Sequence, residues 1–263
     1  MDATYLDAIV AHHRRRAAGD ARDWRVRVET VRVQGPGFAS ALRAPDTVVV
    51  IAEIKRRSPS RGGIDEGLDA AQVARDYQRG GAAALSVLTD AEFFGGGVGD
   101  LAAAREAVAL PLLRKDFTVC ENDVLDAAQM GAAAVLLIVA ALSDAELAGF
   151  LDLAGAVGLD ALVEVHDAHE ARRAIDAGAT LIGVNQRDLR TFTVEPGRAA
   201  EVAASLPPAV MVVAESGLST RRDVHDAAAA GVDAVLVGEA LIRSADRAAA
   251  VSALCGVAKV ARV

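Results

Sequence analysis

Aromatic side chains make up only 3% of this 263-residue chain, with one Trp, two Tyr and six Phe. Its core must therefore be built from Ala, Val, Leu and Ile, and any aromatic pair stands out. Cysteine is nearly missing as well. Cys120 and Cys255 lie far apart with no CxxC or His-paired spacing, which favours packed thiols over a disulfide or metal role. Positive charge is in deficit, and a net charge of −8 argues against nucleic acid as a partner, because phosphate backbones need a basic face. The longest apolar stretch, AAAVLLIVAAL at 132–142, is too short for a bilayer, which takes about 20 residues. The first residues include Asp2 and Asp7 without the apolar segment of a secretory leader. The expectation is a soluble cytoplasmic protein that does not engage a membrane.

What the chain does have is a repeated ending. Six apolar runs stop at a polar, chemically capable residue or a glycine turn: VVVIAEIK (48–55), LPLLRKDF (110–117), ALVEVH (161–166), LIGVNQR (181–187), VMVVAESG (210–217) and DAVLVGE (233–239). Such a run fits a buried parallel strand with its polar terminus at the C-terminal edge, where α/β folds bind ligands. Glycines precede several strands where helix C-caps belong, as in MGAAAVLLI (130–138) and VGLDALVEV (157–165). Ser143 with Glu146, and Asp167 with Glu170, have capping-box spacing.

The pattern predicts eight strands, near 48–54, 83–88, 111–114, 133–138, 160–165, 180–184, 210–215 and 233–237. With a helix after each, the fold expected is α/β, a (βα)8 TIM barrel over 45–263. A doubly wound sheet would want a Gly-rich turn after the first strand, where this chain has EIKRRSPS. Residues 1–44 form a helical extension of the same single domain. Within it a helix from Thr4 to Arg16, with a Thr4/Asp7 capping pair and an apolar stripe, is expected to cover the catalytic end. Arg14–Arg16 reads as its solvated C-terminal end, and His12 and His13 have no partner spacing.

The strand ends assemble a candidate site. Glu53 and Lys55 are two apart and share a face of the first strand. The third strand offers Arg114, Lys115 and Asp116, the fifth Glu164, the sixth Asn185 and Arg187, and the seventh Glu215. Two lysines and three glutamates on one face suit acid–base work on an anionic substrate. Ser216-Gly217 and Gly238-Glu239 close the seventh and eighth strands, where barrels commonly hold a phosphate on backbone N–H groups. In LTDAEFFGGG (88–97), Phe94 together with Phe117 would line a slot for an aromatic ring.

IAEIKRRSPSRG (51–62), LSVLTDAEFFGG (85–96), LRKDF (113–117), LVEVH (162–166), IGVNQRDL (182–189), VAESGL (213–218) and VLVGEAL (235–241) together resemble the indole-3-glycerol-phosphate synthase family. The resemblance implies a carboxy-lyase that closes 1-(2-carboxyphenylamino)-1-deoxyribulose 5-phosphate, with loss of CO2 and water, in tryptophan biosynthesis. It implies Lys115 as general acid, Glu164 as general base, Lys55 on the substrate's anionic groups and Glu53 holding the lysines. Asn185 and Arg187 would orient the substrate, Glu215 would support the lysine network, and Ser58, Pro59, Phe94 and Phe117 would shape the anthranilate pocket. Ser216, Gly217, Gly238 and Glu239 would receive the phosphate. No redox step occurs, so neither cofactor nor metal is expected, and the protein is expected to act as a monomer.

Three departures from the family pattern stand out: Gln186 where a second Asn is usual, Gly96-Gly97 for Gly-Ser, and TVCEND after LRKDF. A sister isomerase barrel would lean on a Cys and an Asp, but no Cys sits clearly at a strand end here. A silent binding barrel would be expected to lose some of Lys55, Lys115 and Glu164.

Overall fold

Eight parallel strands run in sequence order around a closed barrel: β1 (Thr47–Ile54), β2 (Ala84–Leu88), β3 (Leu112–Lys115), β4 (Ala134–Ile138), β5 (Asp160–Val165), β6 (Leu181–Asn185), β7 (Met211–Glu215) and β8 (Ala234–Val237). Closure is made by β8 pairing with β1, Val49 opposite Ala234 and Ala52 opposite Val237. The computed structural model describes residues 4–33, 35–43, 46–58, 62–188 and 193–262. All eight expected strands are present, displaced by no more than a single residue at either end. Burial on both faces explains why they read as continuous apolar runs.

Alternation along each strand divides the core in two. Val49, Ile51, Leu113, Leu136, Leu162, Val213 and Leu236 point into the barrel. Val48, Val50, Leu112, Val135, Val163 and Val212 point outward onto the helices. In this register the odd-numbered strands place Glu53, Lys115, Glu164 and Glu215 on the inward face at their C-terminal ends. Glycine turns do what their spacing suggests. Gly158, at φ 82°, ends Asp144–Val157 and passes the chain directly into β5.

The N-terminal helix α1 (Tyr5–Ala18) begins at Thr4 with both halves of the capping box to Asp7. It lies across the C-terminal ends of the strands, as expected. Arg14–Arg16 form the exposed, solvated end expected of them, and two of them also pair across the surface: Arg14 with Glu146 at 2.8 Å and Arg16 with Asp123 at 2.5 Å. His13 is buried, its Nε2 2.8 Å from Asp90 Oδ2 just after β2. Sequence spacing misses this partner because it is 77 residues away. Three separate βα units thus tether one helix.

Two further helices of the extension, Trp24–Arg27 and Phe38–Arg43, were not anticipated. The second plugs the opposite end of the barrel. Phe38 and Leu42 are fully buried there, and Ala39 N–H donates to Asp160 Oδ2 at the start of β5, 2.8 Å away. The unusual TVCEND segment also finds its role in docking the extension. Asn122 accepts from Arg27 at 2.6 Å and donates to the Arg22 carbonyl, while Asp123 holds Arg16. The capping box at Ser143 and Glu146 is complete, but the one at Asp167 is half formed. Glu170 reaches back past Asp167 to the His166 N–H at 2.8 Å, drawn there by the imidazole 3.2 Å away.

Candidate active site

Four inward side chains from alternate strands make the uppermost barrel layer. Lys115 Nζ lies 3.0 Å from Glu164 Oε2 and 3.5 Å from Glu215 Oε2. Lys55 Nζ lies 2.5 Å from Glu53 Oε1. Asn185 donates to Glu164 Oε1 at 3.2 Å, so Glu164 is held from two sides. Glu215 fits because β6 carries Gly183 beside it. A Cβ at Gly183 would sit 2.1 Å from Glu215 Oε1.

Five charges so close cannot all be ionised cheaply away from water. Burial pushes Lys115 toward its neutral form, but Glu164, Glu215 and Glu53 together outweigh burial and hold the ammonium above its ordinary range. Burial pushes Glu215 up to about 8 against the pull of Lys115, helped by repulsion from Glu164 and Glu53. Glu164 is also opposed by burial, yet Lys115, His166 and the Asn185 amide bring it below its ordinary value. The two glutamates are therefore split: Glu164 ionised, Glu215 protonated near neutrality.

This split has a consequence for stability. Between 4.5 and about 8 the native Glu215 keeps a proton that the unfolded chain releases. Its contribution to stability is therefore full below 4.5 and fades as pH rises toward 8. Glu215→Gln, which keeps the neutral shape, should gain stability relative to the parent as pH rises from 5.5 to 8.5. Urea unfolding of both proteins across that range checks this, and a pH-independent difference would contradict it.

Above the charged layer is a cavity of about 560 Å³. Leu6 and Ile9 of α1 form its roof, and Phe94, Phe117, Leu88 and Ile138 its apolar wall. The Phe94 and Phe117 ring centroids are 6.1 Å apart and tilted by 35°. Phe94 is placed by the short helix Ala91–Phe94, whose N-cap Asp90 also holds His13, so α1 and the phenylalanine loop share one anchor. Leu6 and Ile9 belong to the apolar stripe that the sequence shows on α1, whereas Tyr5, which also lines the cavity, lies outside the stripe residues read there.

At the other end, Ser216, Gly217, Gly238 and Glu239 border the same cavity, together with Ser58 and Arg187. Ser216 is the only non-glycine residue with positive φ among the described residues, at 66°, followed by Gly217 at 77°. Glu239 turns its carboxylate toward Arg243 Nε at 3.2 Å, and Arg243, missed in the sequence, lines the cavity too. A Cβ at Gly238 would sit 2.5 Å from Glu53 Oε1. Gly238→Val should therefore raise KM and lower kcat together, by displacing Glu53 and with it Lys55. Steady-state kinetics decides, and an unchanged kcat would contradict this coupling.

Pro59 lies outside the described residues. Arg114 and Asp116 do not join the charged layer. Arg114 points away from the barrel interior, donating to Asp116 Oδ2 at 2.7 Å and to the Asp123 carbonyl at 2.8 Å. Asp116 also accepts from Thr89 Oγ1 and the Phe117 N–H. His13, Asp90 and Asp116 have ligand atoms close enough to share a cation. His13 and Asp90 already bond each other, and Asp116 is saturated by Arg114, Thr89 and Phe117, so the trio reads as a structural anchor.

A family model described as indole-3-glycerol phosphate synthase matches residues 6–254. Proteins of that name are similar to the chain. One from Micrococcus luteus is 54% identical over 76% of this chain and 74% of its own length. One from Opitutus terrae is 44% identical over 94% and 97%. Among solved structures, a thiamine phosphate pyrophosphorylase from Pyrococcus furiosus superposes with a TM-score of 0.59 at 17% identity, covering 80% of this chain and 94% of its own. That distant likeness shows the fold alone.

Proposed function

Because this chain belongs to the indole-3-glycerol phosphate synthase family, carboxy-lyases that act in tryptophan biosynthesis, we propose that its cavity closes 1-(2-carboxyphenylamino)-1-deoxyribulose 5-phosphate to indole-3-glycerol phosphate. The observation that carries the residue roles is Lys115 held between Glu164 and Glu215, at 3.0 and 3.5 Å, at the floor of a cavity with one aromatic and one glycine-turn end.

The anthranilate ring enters the slot of Phe94 and Phe117 beneath α1, and the phosphate meets the turns at Ser216-Gly217 and Gly238-Glu239. Arg187 and Lys55 take the substrate's anionic groups, with Asn185 and Ser58 orienting it and Glu53 holding Lys55. The ring carbon bearing the carboxylate then attacks the ketone carbon, and the carbonyl electron pair moves to oxygen. Lys115 gives that oxygen a proton. A developing alkoxide is a far stronger base than any lysine amine, so the transfer is downhill although Lys115 holds its proton tightly. Loss of CO2 returns the C–C electron pair to the ring and restores aromaticity.

Dehydration follows. The hydroxyl leaves as water with a proton from Lys55, pushed by the nitrogen lone pair, and Glu164 takes a proton from the neighbouring CH2 carbon to complete the indole. Once Lys115 has given up its proton, the charge that depressed Glu164 is gone. Its basicity rises at the stage that needs a base.

The simplest test is to mix the protein with the carboxyphenylamino substrate and follow indole fluorescence. Its appearance with turnover supports the reading, and no product from that substrate would overturn it. Among the described residues no helix is long and apolar enough to cross a membrane. The proposal extends to a single-domain monomer that works in the cytoplasm on this small substrate, without nucleic acid.

A further inference from the structure

Gln186 is a departure from the family pattern with no part in the chemistry above. It is only 6% exposed and does not border the cavity among the residues that line it. Its side chain nevertheless joins two loops. Nε2 donates to the Ser216 carbonyl at 2.9 Å, and Oε1 accepts from the Gly197 N–H at 3.1 Å. Its backbone is tied at both ends, accepting from Glu195 N–H at 2.8 Å and donating to the Glu215 carbonyl at 2.9 Å. On either side of residues 189–192 the chain is paired, Arg187 bridged to Val194 and Asp188 N–H bonded to the Thr193 carbonyl. Val194 packs on the seventh-strand turn so closely that a Cβ at Gly217 would lie 2.5 Å from its Cγ1.

The Ser216 carbonyl and the Gly217 N–H belong to one planar trans peptide and point in opposite directions. A donor gripping the carbonyl from outside the cavity therefore fixes where the N–H aims. Ser216 also sits at φ 66°, a conformation that a residue with a Cβ holds only when its surroundings enforce it.

We infer that Gln186 is a positioning residue for phosphate recognition, acting through the Ser216–Gly217 peptide. The same side chain links that turn to the loop that carries Arg187. An asparagine is one methylene shorter and cannot hold the Ser216 carbonyl and the Gly197 N–H together at these distances. The longer glutamine therefore has a use here that the usual residue would not serve in the same way.

The inference rests on the proposed phosphate site, and its test separates the two. Affinities for indole-3-glycerol phosphate and for dephosphorylated indole-3-glycerol are measured by calorimetry on the parent and on Gln186→Met, which keeps the length but loses both hydrogen-bonding groups. The parent should prefer the phosphorylated ligand, and equal affinities there would sink the phosphate site itself. In Gln186→Met that preference should fall about tenfold, the scale of one misplaced hydrogen-bonding group, with the dephosphorylated ligand bound as before. A preference kept at the parental ratio, or an equal loss for both ligands, overturns the positioning role. If Gln186→Met does not fold, Gln186→Asn carries the reading. Its preference should drop several-fold by the same reasoning, and an unchanged ratio overturns the inference.

Discussion

Lys115→Ala is expected to lose at least about two orders of magnitude in kcat, within the ~10²–10⁴-fold range of general acid catalysis. No neighbour replaces it fully. Arg114 is turned out of the barrel into Asp116 and the Asp123 carbonyl, and a guanidinium keeps its proton at any working pH. Lys55 reaches the same oxygen for the later dehydration, but it is paired to Glu53 and takes the substrate's anionic groups, so it replaces the lost acid only weakly. Removing the ammonium also leaves Glu164 and Glu215 facing each other without a cation, so one of them must stay protonated. Substrate binding should survive, because neither the phenylalanine slot nor the glycine turns use Lys115. Stopped-flow binding beside steady-state turnover checks both halves, and a kcat within tenfold of the parent would contradict the acid role.

Glu164→Gln should cost a similar factor, also at least about 10² in kcat, but at a later step. Glutamine preserves the shape and can still accept from Asn185, so the lysine stays in place while the base is lost. The substitution also removes the main charge that raises Lys115, which should lower the lysine's pKa toward its ordinary range. Cyclisation therefore stays partly intact, and the acid limb of the kcat profile, which in the parent reports ionisation of Glu164, should disappear. Persistence of that limb in Glu164→Gln would assign it to another group.

Much of this was legible before the structure because it depends on alternation. Once VVVIAEIK, LLRK and ALVEV are buried parallel strands, the pleat forces Glu53, Lys115 and Glu164 inward at one end. A sharper signal was also present. Of 28 basic residues only Lys55, Lys115 and Lys259 are lysines, and two of these face the cavity. Arginine serves wherever a fixed charge is enough, whereas a group that must give up a proton has to be lysine. Lys259 is the exception, tying the C-terminal segment to the Leu42 carbonyl at the plugged end.

What stayed hidden depends on contacts distant in sequence. His13 and Asp90, Arg16 and Asp123, and the Ala39 N–H and Asp160 come together only once the barrel exists to bring its units alongside the extension. No local spacing encodes such pairs. The separation of Glu164 from Glu215 was hidden for the same reason. Both are glutamates on apolar strands, and what separates them is their surroundings in the barrel: the distances to Lys115, the Asn185 amide and His166 near Glu164, and Glu53 near Glu215.

The order of proton transfers is the centre of the account, and a rapid-quench experiment tests it most directly. Each variant is mixed with the carboxyphenylamino substrate, stopped at intervals, and the accumulated species identified by mass spectrometry. Lys115→Ala should hold unreacted substrate. Glu164→Gln should hold a cyclised, decarboxylated species that still carries its hydroxyl, one water heavier than the indole. Unreacted substrate in Glu164→Gln together with the hydroxylated species in Lys115→Ala would contradict the assignment and exchange the two roles.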